Sequence, residues 1–171
     1  MRKPVAPRAD RAAATYSDGP GGERAGVLAA CAAVTDAIFP GLDVAVEIRS
    51  VEEQGLGDTV LLREGSGLGG LAVCHCGAGE AGGGACYVKF GAVAPGARAG
   101  ERFERLLDAC EALAAERGLQ TIIAGVNMAR HDAYRRLLAR GYRTRFQGVV
   151  MQRPNEPGYC RPDVYAIDDL R

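Results

Sequence analysis

Between Asp58 and Arg117 the hydrophobic period of this chain changes from that of strands to that of a helix. DTVLL, GGLAVCHCG and CYVKFGAV (residues 86–93) are short apolar runs rich in β-branched residues. Glycine-rich turns, REGSGLGG and GAGEAGGG, separate them and predict three antiparallel strands. From Glu101 onward Phe103, Leu106, Leu107, Cys110, Leu113 and Ala114 recur at helical spacing, and Gly118 supplies the stop. TIIAGVNM then reads as an apolar, central strand, and residues 130–140 as an amphipathic helix closed by Gly141. RFQGVVMQR (145–153) and DVYAI read as two last strands around the loop PNEPGYCRP. The order is helix, three strands, helix, strand, helix, two strands, which predicts an α/β fold with a mixed sheet.

The beginning of the chain is less patterned. Residues 1–22 mix Pro, Arg, Ala and Gly without a period and predict a disordered arm. One domain is expected over 23–171, a length able to bury its own core. Residues 23–38 predict a helix, whereas 43–54 fit either a strand or a short helix. Lys plus Arg and Asp plus Glu are both 21. That balance excludes a nucleic-acid binder acting through bulk positive charge, and no nucleic-acid partner is expected. No apolar run reaches the roughly 20 residues of a membrane span, and the start lacks an apolar signal core. A cytoplasmic protein without a membrane partner is therefore expected.

Few motifs carry chemistry. Gly65, Gly67 and Gly70 satisfy the dinucleotide-binding spacing, but strands flank them on both sides, so they read as a hairpin turn. Cys74 and Cys76 share one strand face and His75 points to the other. The pair lacks zinc spacing and no second pair completes four ligands, so no metal site is predicted and the six cysteines read as small buried hydrophobes. A metal or redox role resting on Cys74, Cys76 and Cys86 is the remote alternative. The strand–loop–helix junction YVKFGAVAPGARAGERFERLL is more informative. Unpaired amides at a helix start, with Arg98 and Arg102 beside them, make a candidate phosphate site.

The segments VKFGAVAPGARAGERFERLLDACEALAAERG, LQTIIAGVNM with ARHDAYRRLLARGYR, and the closing pair RFQGVVMQR and DVYAI together resemble the GNAT superfamily of acyl-CoA-dependent N-acyltransferases. The likeness covers residues 23–171 and is nearest to the C-terminal half of a tandem acetyltransferase of that superfamily. It implies that the strands of residues 86–93 and 120–128 splay apart, with backbone near Ala92 and Val93 holding the pantetheine of acetyl-CoA. Arg98, Ala99, Gly100 and Arg102 would hold the pyrophosphate, and Asn127 would sit at the end of the splayed strand. A primary amine of a small molecule or peptide would attack the thioester directly. Tyr134 would then protonate the leaving thiol, and His75, or Glu47 if residues 43–50 form a strand, would relay the amine proton.

The chain also departs from that pattern. The family's pyrophosphate loop reads Gln/Arg-x-x-Gly-x-Gly/Ala; Arg98 fits its first position, but Glu101 and Phe103 occupy the two glycine positions. Leu137 stands where the family often has its tyrosine acid. The alternative expectation is thus a catalytically inactive domain of the same fold, serving structure or interaction. Pairing of the closing strands with a second copy, a homodimer, is a further expectation.

Overall fold

The computed structural model describes residues 1–5, 14–77, 81–151 and 153–168. It is a mixed α/β fold with a six-stranded sheet and four helices among these residues. In chain order the elements are β1 (Arg2–Pro4), α1 (Arg24–Asp36), α2 (Ala45–Glu53), β2 (Gly57–Glu64), β3 (Gly67–His75), β4 (Ala85–Val93), α3 (Ala99–Glu116), β5 (Thr121–Ala124), α4 (His131–Ala139) and β6 (Ala166–Asp168). The sheet runs β1-β5-β4-β3-β2, and β6 pairs with β4. Only β4 and β5 are parallel, joined by the crossover helix α3. No helix of the described residues is long and apolar enough to cross a membrane.

The sheet is covered on both faces. Cys31, Val34, Ile48 and Val51 of α1 and α2 bury against Leu61, Leu71 and Val73. On the other face Phe103, Leu106, Leu107 and Cys110 of α3, with Ala133 and Leu137 of α4, bury against Val60, Leu62, Ala72, Cys74, Cys86, Val88 and Ile122. Double coverage explains why the strands read as nearly continuous apolar runs. It also resolves the ambiguous segment at 43–54. Ile48 and Val51 are three residues apart and both fully buried, so one helical face is satisfied. An alternating strand would have turned one of them outward, so Glu47 stands on a helix and not on a strand.

The backbone demands glycine at Gly65 and at Gly70. Gly65, at φ 57°, opens the two-residue turn between Glu64 and Gly67. This places the apparent dinucleotide motif in a hairpin. Gly70 lies where β3 passes close to β4: a Cβ there would come within 2.8 Å of Val93 Cγ1 and 2.9 Å of the Ala92 carbonyl oxygen.

Three expectations change. Part of the arm read as disordered has structure: Arg2–Pro4 pairs antiparallel with β5, and Lys3 Nζ binds Glu111 at 2.9 Å. Tyr16 is buried and its amide donates to the Thr59 carbonyl at 2.8 Å. Residues 6–13 of that arm lie outside the described residues. The strand read in TIIAGVNM ends at Ala124, because β6 enters beside it and the Asp168 amide donates to the Gly125 carbonyl at 3.2 Å. The strand read at 145–153 is absent from residues 145–151 and 153; residue 152 lies outside the described residues. The free edge of β5 is already taken by β1, and only Arg143 exchanges hydrogen bonds with Arg2. Phe146, Val149 and Met151 are consequently exposed.

We expect Gly70→Ala to destabilise the protein by about 1–3 kcal/mol through overpacking against β4. Urea unfolding of the two proteins checks this, and an unchanged midpoint would refute the close approach.

Candidate functional site

The site suggested by the sequence centres on β4. Its ladder to β3 slips between Val73 and Cys74: Cys74 pairs with Val88 and Val73 with Phe90, which leaves Lys89 as an extra residue. Such a bulge bends its strand and sharpens the local twist. The parallel ladder to β5 ends just before it, at Val88 and Ala124. Beyond that point β4 and the chain after β5 part, leaving a notch between them.

The notch is filled by the protein itself. Phe90, Gly91 and Ala92 pair antiparallel with Asp168, Ile167 and Ala166. The Val93 amide donates to the Tyr165 carbonyl at 3.3 Å, and the Asp168 amide reaches the opposite wall at Gly125. Strand β6 is therefore held by backbone hydrogen bonds on both sides. The backbone near Ala92 and Val93, expected to receive a pantetheine, is already engaged.

A buried ion pair fixes β6 in place. Arg130 is fully buried at the start of α4, and its guanidinium forks onto both oxygens of Asp168, with Nη1 3.0 Å from Oδ2. Tyr159 Oη donates to Asp168 Oδ2 at 3.1 Å, and its ring lies 5.4 Å from the Arg130 guanidinium carbon. Burial, reinforced by the Asp168 carboxylate, pushes the Tyr159 hydroxyl up to about 12. Sequence reasoning missed Arg130, Asp168, Tyr159 and Tyr165. Nothing in their local spacing distinguishes them from surface residues, since they meet only through the fold.

The helix start beside the notch is closed as well. Arg98 is the N-cap residue of α3, and no side chain caps the helix there. Its guanidinium nevertheless turns to Glu101 at 2.8 and 3.0 Å and to Glu64 at 2.9 Å. Arg102 binds Glu64 at 2.6 Å and the carbonyls of Ala94 and Pro95 at 3.1 and 3.3 Å. The Arg102 guanidinium holds the Glu64 carboxyl below its usual range, and Arg98 does the same for Glu101. Glu101 also places a negative charge in the first turn of α3, where the helix dipole favours it. Ala99 is buried. Gly100 is covered: a Cβ there would lie 2.6 Å from Arg136 Nη2 and 3.2 Å from Tyr165 Oη. The Tyr165 ring packs 5.6 Å from that of Phe103. The arginine charges that would draw a phosphate to this helix start are thus met by the chain's own carboxylates.

Of the expected proton carriers, His75 and Glu47 meet and Tyr134 stands apart from them. His75 is buried on β3, with Nε2 3.5 Å from Glu47 Oε1 on α2; Lys89 Nζ at the bulge lies 3.9 Å from the same oxygen. Tyr134 stands on α4 beside an open depression lined by Met128, Ala129, His131 and Arg135. Helix α4 packs with α3, so the sheet lies between Tyr134 and the Glu47–His75 pair. Leu137, at the position often held by the family's acid, is a core residue. Asn127 lies in the turn before α4, where its Oδ1 accepts the Ala129 amide at 2.9 Å and its carbonyl the Arg130 amide at 3.0 Å. Its side chain is used locally.

Among the described residues no group of three or more His, Cys, Asp or Glu side chains is placed to hold a metal ion. No family model, curated protein or solved structure matches the chain.

Arg130→Ala should cost about 3–5 kcal/mol, because it leaves Asp168 facing the interior without its partner. Chemical denaturation measures the loss, and a cost below about 1 kcal/mol would show that this pair does not anchor β6. A second outcome concerns alkaline pH. The folded chain holds the Tyr159 proton more tightly than the unfolded chain, so this contribution is complete below pH 10 and is lost as pH rises toward about 12. Tyr159→Phe should therefore flatten the fall in stability across that window, as read from unfolding midpoints at stepped pH.

Proposed function

We propose that this chain is a cytoplasmic domain of the GNAT fold that serves as a structural or interaction unit and does not turn over acyl-CoA. The fold reading rests on the antiparallel β2–β3–β4, the crossover α3 to a parallel β5, and the parting of β4 from β5 beyond Val88. The observation that carries the functional reading is the occupation of the notch by β6, hydrogen-bonded to Phe90–Ala92. The residues present do not fit acetyl-CoA in this arrangement. Pantetheine would have to replace an existing strand, and phosphate would have to displace Glu64 and Glu101 from Arg98 and Arg102.

One observation favours a second reading, acyl-CoA-dependent N-acetyltransferase acting on a primary amine of a small molecule or peptide. The bulge at Lys89 and the early end of the β4–β5 ladder open a notch in the sheet. The strand that fills it is only three residues long. In this reading β6 is displaced when acetyl-CoA binds.

Calorimetric titration of acetyl-CoA into the purified protein separates the two. We expect no saturable heat, and no rise in unfolding temperature at millimolar ligand. A micromolar site would stabilise the protein by about 4 kcal/mol at a thousandfold excess over its Kd, which no thermal scan would miss. Micromolar binding that Arg98→Glu abolishes would overturn the reading of a closed cofactor site, and acetyl transfer to an amine in a subsequent screen would establish the transferase reading.

A further inference from the structure

The face of the sheet under α3 gathers four of the six cysteines. Cys76 Sγ lies 3.8 Å from Cys86 Sγ, and Cys74 Sγ lies 4.0 Å from Cys110 Sγ. The two pairs differ in access. Cys74 and Cys110 are fully buried, whereas Cys76 is partly exposed beside the buried Cys86.

The backbone sets up the Cys76–Cys86 pair. β3 and β4 are antiparallel with His75 opposite Tyr87, so one step further brings Cys76 opposite Cys86. The Cys76 amide donates to the Leu56 carbonyl at 2.8 Å, on the β2 side, so this pair exchanges no backbone hydrogen bonds across β3–β4. Facing residues of that kind have Cα atoms about 4.5 Å apart and their side chains close together. That separation lies within the range a disulfide spans, about 4.4–6.8 Å. Forming the bond asks only that the two sulfurs approach from contact distance.

We propose that Cys76 and Cys86 form a reversible thiol–disulfide site whose oxidant is a small-molecule disulfide. The partly exposed Cys76 thiolate attacks one sulfur of that disulfide, whose S–S bond breaks and whose other half leaves as a thiolate. The Cys86 thiolate then attacks Cys76 Sγ in the mixed disulfide and expels the second half. Two protein thiols and one small disulfide become one protein disulfide and two small thiols, which take up the two protons.

The surroundings place the ionised form first on the resolving sulfur. Hydrogen bonds from the Cys74 and Cys76 thiols push Cys86 down against its burial, with Arg117 adding positive charge, while the contact with Cys86 and burial push Cys76 up. The ionised form is thus favoured on the resolving sulfur, and one proton passed between the paired thiols delivers it to the exposed one.

The test incubates the folded protein with glutathione disulfide, blocks remaining thiols with an alkylating agent under denaturing conditions, and maps linkages by mass spectrometry. Cleavage after Glu80, which lies between the two cysteines in sequence, separates their peptides. We expect Cys76 and Cys86 to lose alkylation together as one linked pair, and dithiothreitol to restore both. Cys76→Ser should abolish the loss at Cys86. Cys86→Ala, chosen over serine because the site is buried, should leave Cys76 as a persistent mixed disulfide. A dominant Cys74–Cys110 or Cys74–Cys86 link would overturn the proposal. So would full alkylation of both cysteines after equilibration, or a mixed disulfide at Cys76 that never resolves in the unmutated protein.

Discussion

The buried pairing of Arg130 with Asp168 is the contact on which the middle of this molecule depends. A guanidinium with no exposure is tolerated in a protein interior only if its charge is met. Asp168 meets it through both carboxylate oxygens, one to each terminal nitrogen, and Tyr159 shares one of those oxygens, while Arg130 Nε makes no hydrogen bond among the described residues. The consequence reaches beyond the pair. Because Asp168 belongs to β6, satisfying Arg130 pulls β6 into the notch, where its backbone completes the hydrogen bonding of β4. A short strand with little area of its own is thus held by charge at one end and by a ladder along its length.

β4 is the strand around which these relations turn. It pairs with β3 along most of its length, with β5 before the bulge at Lys89 and with β6 after it. Changing partner in mid-strand needs a place where the ladder can bend, and the extra residue supplies it. The same local geometry that would make room for an extended ligand therefore accepts a strand of the protein's own chain. An extended ligand bound at a sheet edge and an added strand use the same backbone donors and acceptors, so the two are mutually exclusive. The arginines by the helix start follow the same logic. Glu64 and Glu101 give Arg98 and Arg102 partners within the chain, which removes the excess positive charge that would draw a phosphate.

Much of this architecture was legible in the residues. The apolar runs at 58–93, the glycine turns between them and the helical spacing from Phe103 to Ala114 led directly to β2, β3, β4 and α3. The departures at Glu101, Phe103 and Leu137 were also visible as residue types, and each proves structurally committed: Glu101 to Arg98, Phe103 to Tyr165 and Leu137 to the core. The strand at residues 2–4 escaped notice because three residues carry no period. The segment 145–151 misled for the opposite reason: RFQGVVM has strand composition, but β1 stands on the edge of β5 and is itself only three residues long, and of the chain just before this segment only Arg143 pairs with it.

The sequence by itself determined the elements whose signal is local, because periodicity, turn glycines and helix stops act over a few neighbouring residues. It also determined that Glu101 and Phe103 stand where the pyrophosphate loop of the resembled superfamily has small residues. Only the tertiary structure decided what stands in the notch, because β4 and β6 are separated by more than seventy residues and their pairing leaves no mark on either segment alone. It likewise decided that Glu47 and His75 meet while Tyr134 stands across the sheet, and that Cys76 faces Cys86. Contacts between distant segments are set by register and packing of the whole sheet, and those are properties of the folded chain rather than of any stretch within it.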